Sequence, residues 1–230
     1  MATNLRISLT ILSIGFAVEG CAEVYSLLTA GAFLPGTSVI FLLPALVTLL
    51  GLLFILIGKH EWDETHQHRV HRANSVFAAS LAAGVFAFVE LALLALYPSI
   101  GAPWWAELLF GGLVAGFVLG TFVTYALLVF HLVHVPTKGA LVAAMVWALL
   151  VSIFIAVTLS ADLPSILGLI SARSLSFEAL VAPIDYLLSF LFLSYFLLLA
   201  AYLDAHLTVA RGLPRKARPR APPVNPSAPS

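Results

Sequence analysis

The chain has 230 residues, 61% of them apolar and 10% charged, and its eleven basic and eleven acidic side chains leave no net charge. A soluble domain carries about a quarter charged residues and must cover itself with polar surface, so a water-soluble globule is excluded, and without a basic face no nucleic-acid partner is expected. The single cysteine, Cys21, rules out an intrachain disulfide and thiolate metal clusters.

A membrane span needs about 20 apolar residues, and six such runs are read, at about 7–33, 37–58, 74–97, 107–134, 140–160 and 183–203. The fold class expected is therefore an all-α integral membrane bundle. Span one carries Glu19 and Glu23 one turn apart, with Ser8, Gly15 and Ser26 near the same stripe, so this face should point into the bundle. Val18, Glu19, Gly20 and Cys21 have the outline of a lipobox, but the apolar run continues past Cys21 to Leu34, which suits a retained span. Pro35 and Gly36 form a tight turn into span two.

The loop 59–72 is rich in histidine; if it is helical, His60, Glu64 and His68 share a face with His71 adjacent. Span three carries Glu90. Pro98 and Pro103 separate spans three and four, and Trp104 and Trp105 follow where an aromatic belt would sit. In span four, Gly112, Gly116 and Gly120 recur every four residues, a face that lets a neighbouring helix approach closely. Thr121, Thr124 and Tyr125 could donate hydrogen bonds to the carboxyl groups. Span four ends in His131 and His134, Pro136 with Gly139 separates it from span five, and span six ends in Asp204 and His206.

The segment 162–182 is too polar to span easily, and a short helix in the outer interface is expected, with a re-entrant loop as the alternative. Residues 1–206 thus form the transmembrane domain, and 207–230 a basic, Pro-rich tail expected to be disordered. With six spans, ten of the eleven cations fall on one side and only Arg173 on the other, so both termini are expected in the cytoplasm of a multi-pass cell-membrane protein.

Three function classes follow. No Lys or Arg lies inside any span, so the membrane interior is acid-only and would repel an anion but accept a proton or cation. The favoured class is a proton- or cation-handling transport or channel-like protein, or an accessory subunit, using Glu19, Glu23, Glu90 and Tyr125. Glu23 and Glu90 each lie about 24 Å along an inside-to-outside span, so the two are expected to approach each other. The alternative is a transition-metal or haem protein, perhaps an enzyme, built on His60, Glu64, His68, His71, His131, His134 and His206. The third is a structural subunit of a larger membrane complex or a homo-oligomer. No enzyme signature is present, so catalysis is not the favoured reading.

Overall fold

The computed structural model describes residues 2–29, 48, 50–52, 64–96, 103–171 and 186–211. Among them every regular element is helical. Five helices are long and apolar enough to cross a membrane: α1 (Ala2–Leu28), α2 (Glu64–Leu96), α3 (Trp104–Val129), α4 (Val135–Ser171) and α5 (Phe192–Ala210). They point to a multi-pass membrane protein. The apolar run of span two lies mostly outside the described residues, as do His60, the segment 172–185 and the tail from residue 212.

The principal neighbours are α2 with α3, α3 with α4, α4 with α5, and α5 with α1. Each pair is antiparallel. Ser80 lies against Gly120 while Gly84 lies against Phe117. The Ser194 hydroxyl donates to the Ala144 carbonyl (2.9 Å) and the Trp147 indole to the Phe190 carbonyl (2.7 Å), with His134 beside Asp204 further along. Arg6 donates to the carbonyls of Val209 and Ala210, while Gly20 lies against Phe196. The first helix therefore packs along the last.

α3 ends at Val129 and α4 starts at Val135, so Pro136 and Gly139 lie in the first turns of α4 rather than between spans, and three further limits differ more widely. Residues 162–171, expected to lie in the interface as a separate helix, instead continue α4. Leu159, Leu163 and Ile166 recur at helical spacing and are all buried, so the packed face runs on through Pro164. α2 starts ten residues before the expected span, because the histidine-rich loop is helical from Glu64 onward. α5 extends past residue 203 to Ala210, since Ala201, Ala205 and Val209 keep a buried stripe and Asp204 finds partners.

The core is aromatic at its centre. Phe16 of α1 meets Tyr125 of α3 and Tyr202 of α5 edge-on, each at 4.9 Å between ring centroids. Tyr202 is fully buried, and its hydroxyl donates to the Tyr125 carbonyl at 3.0 Å. A buried phenol needs such a partner.

Candidate functional site

The best-formed polar site lies along α1. Ser8, Glu19, Glu23 and Ser26 are all buried, with Glu19 6% and Glu23 8% exposed. The spacing of 19, 23 and 26 keeps them on one helical stripe. Thr48, also buried, packs against Gly15 of this stripe, where an added Cβ would stand 2.6 Å from the Thr48 methyl. Tyr125 closes the site from α3: its hydroxyl shares a hydrogen bond with Thr48 and lies within electrostatic reach of Glu19. Glu19, Glu23 and Tyr125, read separately from the sequence, thus belong to one side of the bundle, together with Thr48. Thr121 and Thr124 do not contribute donors, because each donates back to its own helix, to the carbonyls of Phe117 and Gly120 at 2.8 Å.

Glu90 is elsewhere. It stands on α2, which packs principally on α3, whereas α1 packs principally on α5. Glu23 and Glu90 therefore stand on helices that are not principal neighbours. Both Glu90 carboxylate oxygens are buried and have no hydrogen-bond partner among the described residues.

No family model, curated protein or solved structure matches this chain. Any functional reading must come from the chemistry of its own side chains.

The glycine stripe of α3 divides. An added Cβ at Gly112 would meet nothing within 4 Å, and one at Gly116 would meet only Ala83 at 3.9 Å. At Gly120 it would stand 2.6 Å from the Ser80 Cβ. The closest helix approach is at Gly111, where an added Cβ would collide with the Ala156 carbonyl oxygen and the Ser160 hydroxyl of α4. Within the four-residue repeat, Gly120 stands at a close approach to α2, while the tighter contact, at Gly111 against α4, lies outside the repeat.

Among the described residues, His131, His134 and His206 lie at the Arg6 end of the bundle, each with a different partner. His134 donates its backbone N–H to Asp204 Oδ2 at 2.8 Å, and its Nδ1 lies 2.8 Å from Asp204 Oδ1. Thr137 adds a side-chain hydrogen bond to the same carboxylate. Asp204 therefore serves the free N-terminal groups of α4 from another helix. His206 Nδ1 lies 3.4 Å from the Thr10 hydroxyl, and His131 stacks edge-on with Phe130. His68 and His71 are exposed on α2. Among the described residues no group of three metal-ligating side chains forms. His60 and the Glu64 side chain lie outside them. The sequence named Asp204 and His134 as polar helix ends, but not as partners; nothing in their spacing across 70 residues identifies that pair.

Proposed function

We propose that the protein handles protons or a small cation across a membrane, with Glu19, Glu23, Thr48 and Tyr125 as its site. One observation carries this reading: two carboxyl groups one turn apart are buried within the bundle beside a tyrosine hydroxyl. From residue 7 to the end of α1 there is no Lys or Arg, so the helix itself cannot neutralise them. Two ionised carboxylates so placed would repel each other and cost several kcal/mol each to bury. A shared proton or a bound cation removes that cost, and release to either side would constitute transport.

The same reading proposes six spans, both termini in the cytoplasm of the cell membrane, and the cation-rich end facing inward. The clustering of Arg6, Lys138 and Arg211 at one end supports it. A larger complex, with this chain as an accessory or structural subunit, is compatible with the exposed apolar side of α2, where Phe86 and Phe88 are 63% and 72% exposed.

Proton flux into liposomes containing the purified protein, read with an internal pH dye, tests the site. Flux above that of empty liposomes, abolished by Glu19→Gln or Glu23→Gln in folded protein, is the expected result. Equal flux in the double Gln variant and wild type would remove the α1 site from the proposal. Stoichiometric metal or haem in chelator-free preparations would instead favour the histidine-based reading.

A further inference from the structure

Glu90 is the second feature with chemistry of its own. Its two carboxylate oxygens are buried, and no donor among the described residues reaches either one. The contacts of Ser80 with Gly120 and Gly84 with Phe117 set the register of the α2–α3 seam, which brings Glu90 level with the start of α3 near Phe110. That part of α3 is apolar, and no Lys or Arg lies between residue 73 and the end of α2 or anywhere in α3. Along its own face of α2, Phe86 and Leu93 flank Glu90 at helical spacing and are 63% and 53% exposed.

An ionised carboxylate in such a place, with no hydrogen-bond partner among the described residues, would cost several kcal/mol. The neutral acid removes most of that cost. We propose that Glu90 is an isolated proton-binding carboxyl, held as the neutral acid on α2 and reached from the exposed apolar face of that helix rather than from water. A site of this kind is open to covalent modification by a hydrophobic carbodiimide. The carboxyl proton moves to one carbodiimide nitrogen, and the carboxyl oxygen bonds to the central carbon. Acyl transfer to the neighbouring nitrogen then leaves a stable acylurea. The whole reagent is retained, nothing leaves and no oxidant is required.

This inference needs nothing from the α1 site, so the two can fail separately. The experiment treats the full chain in neutral-lipid bilayers with dicyclohexylcarbodiimide and, in parallel, with a water-soluble carbodiimide, and maps adducts by mass spectrometry. Infrared spectra of wild type and Glu90→Gln compare the carbonyl band of a protonated carboxyl. The expected result is stoichiometric labelling of Glu90 by the hydrophobic reagent alone, with a carbonyl band lost in the Gln variant. A band unchanged by Glu90→Gln overturns the proposal whatever the labelling shows. Labelling of Glu19 or Glu23 with Glu90 left bare overturns it as well, and so does equal labelling of Glu90 by the water-soluble reagent.

Discussion

Gly111 and Gly112 are adjacent in sequence and stand in opposite environments. A side chain at Gly111 must displace the backbone of α4, whereas one at Gly112 enters open space. Gly111→Val should therefore destabilise the bundle by about 1–3 kcal/mol, the range for overpacking, and lower the thermal midpoint measured in detergent. Gly112→Val should leave that midpoint unchanged; equal effects at both positions would mean that α3 faces α4 differently. Asp204 poses a similar contrast. It accepts from the His134 backbone, the His134 ring and Thr137, at a helix start that welcomes negative charge. Asp204→Ala should cost about 1–3 kcal/mol, while Asp204→Asn retains part of the hydrogen bonding and should lose less. A midpoint unaffected by Asp204→Ala would show that water replaces the carboxylate at this corner.

At the scale of the helix, α4 is the exceptional element. Its 37 residues extend roughly 55 Å at 1.5 Å per residue, against a hydrocarbon core of about 30 Å. The helix must tilt, project beyond the core, or both. Residues 162–171 come last, more than 40 Å from its start on the same arithmetic, so a helix that enters the apolar layer near its start would carry them beyond it. Single cysteines at 162 and 165 in a Cys21→Ser background should be modified by a membrane-impermeant maleimide, and cysteines at 150 and 153 should resist it. Resistance throughout would restore the expectation of a segment lying in the membrane. The apolar runs of α1 to α5 were legible because each is about as long as a span or longer and ends near Pro, Gly or charge. The ends were less legible. A polar stretch reads as a break, yet α2 and α5 stay helical through His68 and Asp204. Partner choice was not legible at all. Glu19 and Glu90 lie on similar apolar helices, and only the order of packing separates a carboxyl within reach of Tyr125 from one with no hydrogen-bond partner among the described residues.

The whole molecule is ordered by its alternating helix directions. Arg6, Lys138 and Arg211 come together at one end, and the antiparallel pairing of α2 with α3 brings Arg69 and Arg72 to the same end. The positive-inside tendency turns that asymmetry into an orientation. Reporters fused after residues 138 and 212 should share the cytoplasmic side, and a reporter within 97–103 should lie outside. A reporter at 212 on the outer side would contradict both the orientation and the even number of spans.

The pairing of α1 with α5 also bears on biosynthesis. Arg6 reaches the carbonyls of Val209 and Ala210 across more than 200 residues of chain, so α1 docks against a helix synthesised some 200 residues after it. Until then, the side of α1 that meets α5 has no permanent neighbour and must wait in the insertion machinery or at a lipid boundary. A message truncated before residue 192 should yield a chain that inserts but cannot close, with Phe16 deprived of Tyr195 and Tyr202. Such a product is a substrate for membrane quality control. Co-expressing the missing helix as a separate peptide is the natural way to rescue it.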